Sequence, residues 1–226
     1  MPKKTLAPKQ ARSRDSLERL MKAARELLNE KGIDGTTVPR VAARAGLSPA
    51  SVYRRFPNKD ALMRAVILEM LETLDAHTAA TLTPELAERL SLEAFARTMI
   101  RQSLAAQRRG ATMYRAMRQF ILDHPSAAFK KKAAALSIRS VERVAEFLMR
   151  RRSEISHPYP RMAASFALML VGFAIQEIAV FDVLPDVEDP RLPKTDDELV
   201  DELVRAFLSY LGVKRDTKAS RGSDYA

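Results

Sequence analysis

An all-α fold is predicted for this 226-residue chain: a small N-terminal three-helix unit followed by a larger helical body. Three observations predict it. Apolar residues recur at three- and four-residue spacing along most of the chain, as amphipathic helices require. No alternation of apolar and polar residues is long enough for a useful strand. The breakers Pro84, Gly110, Pro125, Pro158 and the group Pro185, Pro190 and Pro193 separate the periodic stretches.

Residues 1–14 are polar and basic, contain two prolines and lack periodicity, so a flexible arm is expected there. The first helix is predicted from residue 15, with Leu17, Leu20, Met21, Ala24, Leu27 and Leu28 as its stripe. Asp15 and Glu18 have capping-box spacing, and Gly32 suits its end. A short helix follows over 37–45, capped by Thr36 or Thr37, with Pro39 in its first turn and Val41, Ala42 and Ala45 inward. Gly46-Leu47-Ser48 is a tight turn. Ser48 then caps a helix over 49–55 that opens on Pro49 and points Val52 and Phe56 inward. Pro57 breaks it, and Asn58 caps a fourth helix from Lys59 to His77 with Leu62, Val66, Met70 and Leu74 inward. Further helices are predicted over 84–107, 111–123, 125–153, 158–182 and 196–212, the last opened by a Thr195/Glu198 capping box. The polar tail 214–226 is expected to be disordered. The domain reading is therefore arm 1–14, reader 15–60, helical body 61–213, tail 214–226.

With 46 % apolar residues and only 7 glycines, the chain suits a packed globular protein. It has no cysteine, which removes disulfides and thiolate metal sites and fits a reducing cytoplasm. The basic N-terminus is not followed by an apolar run, so a secretory signal is not expected. His77, His124 and His157 are far apart, and neither a metal site nor a cofactor is expected. There is no nucleophile–base pair and no Gly-rich phosphate loop, so the chain does not read as an enzyme. The net charge is +10, and residues 1–64 hold 15 Lys/Arg against 6 Asp/Glu. A basic block of this kind favours a polyanionic partner, with nucleic acid first.

The segment 35–59 carries the chemistry. Two short helices meeting through a turn on Gly46 have the build of a helix-turn-helix, whose second helix enters the major groove of DNA. Small Ala42 and Ala45 allow close approach, while Val41, Val52 and Phe56 supply the core. Pro49, Ala50, Ser51, Tyr53, Arg54 and Arg55 then face outward. The small leading residues let the helix sit deep, Tyr53 offers a hydroxyl to a phosphate, and Arg54 and Arg55 suit phosphates or guanine edges. Lys59 lies in the first turn of the next helix, beside backbone amides that also favour a phosphate.

Gly35-Thr36-Thr37, Val41-Ala42, Ala45-Gly46-Leu47-Ser48, Val52-Tyr53, Phe56 and Asn58-Lys59 followed by Leu62 resemble the tetracycline-repressor (TetR) family of bacterial regulators over about residues 14–65. The resemblance implies a three-helix DNA reader, a linking fourth helix, a divergent ligand-binding body and a homodimer on a palindromic operator. By position it places DNA contacts on Thr37 or Val38, Pro39, Ser48, Pro49, Ala50, Ser51, Tyr53, Arg54, Arg55 and Lys59. The sequence departs from the family at Arg55, where His is common, and at Pro39, which has no side-chain donor. Lys3, Lys4, Lys9, Arg12 and Arg14 either enter the minor groove or form a loose tail.

In the body, Ala163–Ile175 is uncharged but is interrupted by Gln176-Glu177, short of the roughly 20 residues of a membrane span. It is expected to pack with the last helix, either across a two-fold axis as a four-helix bundle or within one chain. Phe166, Leu170, Leu203, Phe207 and Leu211 are the candidate dimer residues. Phe95, Met99, Tyr114, Met117, Phe120, Phe147, Phe166, Met169, Phe173 and Gln176 are candidates either for lining a pocket for a small, largely apolar ligand or for ordinary core. The runs Lys130-Lys131-Lys132 and Arg150-Arg151-Arg152 read as solvated helix face or helix end. The expected function is transcriptional regulation in the cytoplasm, as a repressor released by that ligand or as a ligand-free nucleoid-type module.

Overall fold

The computed structural model describes residues 7–181 and 192–214, with side chains from residue 11 onward. The expectations for residues 1–6, for the loop carrying Pro185 and Pro190, and for the tail beyond Lys214 lie outside the described residues.

The described residues are helical, without a strand: α1 (Ala7–Gly35), α2 (Val38–Ala45), α3 (Pro49–Tyr53), α4 (Lys59–Thr81), α5 (Pro84–Arg89), α6 (Leu92–Arg109), α7 (Ala111–Asp123), α8 (Ala127–Leu148), α9 (Pro160–Phe181) and α10 (Asp196–Leu211). A 3-10 segment, Met149–Glu154, follows α8.

The helical ends show why these boundaries fall where they do. The first helix starts at Ala7 and not at residue 15, so the expected arm 1–14 is corrected for residues 7–14. Pro8 is tolerated in a first turn, and Ala, Lys, Gln and Arg after it are strong helix formers. With helix already upstream, Asp15 does not cap and instead pairs with Arg19 at 3.3 Å. Gly32 leaves helical geometry at φ 63°, as expected of a terminator. Buried Thr36 closes the turn by donating from Oγ1 to the Gly32 carbonyl at 2.7 Å.

The single helix predicted over 84–107 is two. Leu90 is extended, and Ser91 caps α6 by accepting the Ala94 N–H at 3.2 Å. The helix predicted over 125–153 also ends early, at Leu148. The reason is Arg151, whose guanidinium donates to the carbonyls of Ala87, Glu88 and Leu90 at 2.8, 3.2 and 2.6 Å. Arg151, just past the end of α8 as the helix-end reading allows, thereby satisfies the open C-terminal carbonyls of α5. The Thr195/Glu198 capping box of α10 is formed in both directions.

The chain divides into two compact units. Unit one comprises residues 1–76, 107–138 and 179–181; unit two comprises 77–106, 139–178 and 182–226. The 60/61 boundary read from the sequence falls within the first turn of α4, inside unit one. The core of unit one joins Leu20, Ala24 and Leu28 of α1, Val41 and Ala42 of α2, Val52 of α3, Leu62, Met63, Val66 and Ile67 of α4, and Met117 and Phe129. Leu74, expected inward, is exposed. In unit two, Val200, Val204, Phe207, Leu208 and Leu211 bury one face of α10, and Ala163, Ala164, Ala167 and Ile175 bury one face of α9.

Candidate nucleic-acid interface

The interface is built on α2 and α3. Gly46 ends α2 at φ 65°, ψ 38°, a left-handed conformation that side chains resist. Its N–H returns to the α2 carbonyls, the Leu47 N–H reaches the Ala42 carbonyl at 2.9 Å, and Arg19 of α1 donates to the Ala45 carbonyl at 3.1 Å. The chain thus turns within three residues into α3, where Ser48 caps by accepting the Ser51 N–H at 3.2 Å. Asn58 caps α4 in the same way, accepting the Ala61 N–H at 2.8 Å.

Fully buried Val52 fixes the rotation of α3, so its opposite face carries Pro49, Ala50, Tyr53 and Arg54 into solvent. Ser48 and Arg55 flank that face, exposed, and Ser51 is half-exposed beside it. Thr37 occupies the cap position of α2, but its side chain makes no capping bond and its hydroxyl stays available. Val38, the alternative at that position, is buried. Pro39 is exposed and Lys59, the first residue of α4, is half-exposed. The structure therefore places all ten sequence-predicted DNA-contact residues at the solvent-accessible surface of unit one.

A hydrogen-bond chain orders the reader's polar groups. The Arg54 guanidinium donates to Ser51 Oγ at 2.9 Å, and Ser51 and Ser48 share a hydrogen bond of 2.9 Å. Arg55 turns toward α1, where its Nη2 donates to Ser13 O, Ser13 Oγ and Ser16 Oγ at 2.9, 3.0 and 2.8 Å. Sequence reasoning missed these serines, because nothing local links residue 13 to residue 55. Arg44 on α2 makes a two-pronged pair with Glu30 at 2.6 and 2.8 Å. That hydrogen bond holds the Glu30 carboxyl below the usual range and raises Arg44.

The body candidates separate. Met117 and Phe120 belong to the core of unit one, and Phe120 packs edge-on to Phe129 with ring centres 5.7 Å apart. Tyr114 of α7 is half-buried, and that burial pushes its phenol up. In unit two Phe95 and Phe147 stack at 4.7 Å, with Met99 and Gln176 half-buried. Phe166, Met169 and Phe173 are exposed on α9, outside the buried core of unit two. Phe147, with Ala79, Leu82, Arg143, Glu146, Met149 and Arg150, lines a groove of about 370 Å³ in unit two. Among the dimer candidates, Phe166 and Leu170 are exposed and Leu203 is half-buried. Phe207 and Leu211 are corrected: both are buried in the chain's own core and offer no surface to a partner. Although α9 is long and apolar enough to cross a membrane by composition, 39 % of that stretch is buried inside the protein.

A capped turn between two short helices, with an outward face of small, hydroxyl-bearing and cationic residues, defines a helix-turn-helix reader. Residues 20–66 match the profile of the bacterial regulatory proteins of the tetR family. The tetracycline repressor protein class A from transposon 1721 of Escherichia coli is 36 % identical over 95 residues, 42 % of this chain and 43 % of that protein. The class D repressor of E. coli is 43 % identical over 54 residues, 24 % of this chain and 25 % of that protein. These matches span less than half the length of the relatives. Two solved structures share the fold across most of the chain. FadR from Bacillus subtilis in complex with stearoyl-CoA aligns with TM-score 0.62 at 15 % identity, over 86 % of this chain and 98 % of that one. A TetR-family regulator from Mesorhizobium loti aligns with TM-score 0.60 at 22 % identity, over 88 % and 94 %. Residues 20–66 thus carry the DNA-binding domain of tetR-family regulatory proteins, and the described chain shares the fold of solved regulators that carry it.

Proposed function

We propose that this protein is a cytoplasmic, homodimeric repressor that reads a palindromic DNA operator through α3 and releases it on binding a small, largely apolar ligand in its body. The observation that carries the reading is the outward face of α3. Val52 anchors the helix from behind, and Ala50, Tyr53 and Arg54 stand clear in front. Ala50 lets the helix approach base edges, Arg54 suits a guanine or a phosphate, and Thr37, Tyr53 and Lys59 suit phosphates on either side. No enzymatic step belongs to this reading.

A second copy of the chain is the proposed occupant of the exposed α9 face. Met162, Phe166, Met169, Leu170 and Phe173 form a continuous apolar stripe in solvent, and soluble monomers rarely leave such a stripe uncovered. A Cβ on Gly172 would meet nothing within 4 Å, which leaves room for close approach of a facing helix. Pairing by the same face on both copies generates a two-fold axis, and with it the symmetry of the operator.

Release requires a ligand that favours one arrangement of the readers over the other. The groove beside Phe147 combines apolar Ala79, Leu82 and Met149 with charged Arg143, Glu146 and Arg150. Because the Bacillus subtilis FadR structure contains stearoyl-CoA, a fatty acyl thioester is a sensible first probe. The function is tested by selecting duplexes from a random pool with the purified protein and footprinting the winners. Enrichment of an inverted repeat supports a repressor-type reader. A salt-steep binder without sequence preference is a nucleoid-type module and overturns the proposal.

A further inference from the structure

Arg54 is the C-cap of α3, and its guanidinium is drawn back along the helix. Its Nη2 donates to Ser51 Oγ at 2.9 Å, one turn toward the N-terminus. Ser51 Oγ in turn shares a hydrogen bond of 2.9 Å with Ser48 Oγ, and Ser48 Oγ accepts the Ser51 N–H at 3.2 Å. A cationic donor into Ser51 makes its hydroxyl the better donor toward Ser48, so the relay runs from Arg54 through Ser51 to Ser48. Its far end is the cap of α3 itself. The arginine at the end of the helix is thus held by the turn that starts it.

The adjacent arginine is placed otherwise, because Ser13 and Ser16 draw Arg55 toward α1. Of the two, Arg54 keeps its guanidinium over α3, and among the described residues no carboxylate pairs with it. A recognition helix meets base edges with its N-terminal residues. Drawn back over Ser51, the guanidinium serves that part of α3, on the same face as Ala50 four residues before it, whose small side chain leaves room for a base. A guanidinium has two edges that can grip guanine O6 and N7 together, and each uses one Nη2 hydrogen. Ser51 takes one of these hydrogens, so one edge stays for DNA. A long, flexible side chain is held in one pose before it meets its target, which lowers the entropy cost of the contact.

We infer that Ser51 is a positioning residue that determines sequence specificity: it sets the pose in which Arg54 reads one guanine in each half-site. Ser51 acts through Arg54 and does not itself touch DNA. The inference rests on the DNA-reading function proposed for α3 and deepens it.

The test uses the full chain and compares duplexes selected from a random pool by wild type, Ser51→Ala, Ser51→Thr and Arg54→Ala. Ser51→Ala removes the hydroxyl but keeps the backbone N–H that Ser48 caps, so its melting curve should match wild type. Wild type should enrich a G·C pair at one position per half-site. Ser51→Ala should lose about tenfold of discrimination at that pair alone, with affinity for unrelated duplex and the salt slope unchanged. Ser51→Thr restores the acceptor and should restore the preference. In an Arg54→Ala background, Ser51→Ala should change nothing further at that pair. The pose is also read without DNA: by nitrogen relaxation, the Arg54 Nε–H should be ordered in wild type and in Ser51→Thr and mobile in Ser51→Ala. Four results overturn the inference and leave the reader intact: Ser51→Ala weakens every sequence equally, keeps full discrimination, or still loses affinity in the Arg54→Ala background, or the Arg54 Nε–H is as mobile in wild type as in Ser51→Ala. A wild type that enriches no sequence overturns the DNA-reading proposal itself, and the role of Ser51 with it.

Discussion

His124 donates from Nε2 to Asp60 Oδ1 at 2.8 Å, while its Nδ1 accepts the Ser126 N–H at 2.9 Å. A backbone N–H can only donate, so Nδ1 is bare and the proton sits on Nε2. The ring is buried between Phe120 and Phe129, with ring centres 5.1 and 4.7 Å away. It ties the turn between α7 and α8 to the first turn of α4, two residues past the cap of the reader. His124→Phe keeps the packing and removes the donor. It should lower the unfolding free energy by about 1–3 kcal/mol, read from urea denaturation, because it leaves Asp60 without that partner. An unchanged midpoint would show that the bond holds nothing.

Tyr53→Phe and Arg54→Ala should each weaken operator binding about tenfold at fixed salt while leaving thermal unfolding within about 0.5 kcal/mol of wild type. Both side chains are exposed, so the fold does not depend on them. Gel-shift titration beside a melting curve separates the two effects.

The reader was legible because its determinants are local. Ser48, Asn58 and Thr195 cap helices through atoms three residues away, and Gly46 turns on its own dihedral angles. What escaped is long-range. Arg151 closes α5 from more than 60 residues away, and Ser13 and Ser16 grip Arg55 from about 40. The sequence of α10 shows a wide apolar face without saying which neighbour covers it, so Phe207 and Leu211 looked like interface and are core. The break at Leu90 escaped because the apolar period runs across it, and the Ser91 cap decides locally against continuation.

The α9 stripe yields a sharper prediction about assembly. Phe173→Asp is 62 % exposed in the wild-type position, so the charge costs the isolated chain little. In a dimer the same charge is buried without a partner, and dissociation should become at least tenfold easier. Sedimentation equilibrium would show a monomer at concentrations where wild type is a dimer. Equal masses for both proteins would move the interface off this face.

Burial raises the phenol of Tyr114 above its ordinary value. A group whose folded value is raised keeps its contribution below the unfolded value, about 10, and loses it as pH climbs beyond. Stability should therefore fall above about pH 10, and Tyr114 should lag in a tyrosinate absorbance titration. Tyr114→Phe should remove the lagging signal.

The most direct measurement is a footprint of the purified protein on duplexes it has itself selected. Two protected half-sites related by a two-fold axis are expected, with centres about 34 Å or a multiple of that apart along one face of the DNA. Protection should disappear in a variant combining Tyr53→Phe with Arg54→Ala. Uniform protection of any duplex, or a selected site without two-fold symmetry, would contradict a dimeric reader built on α3.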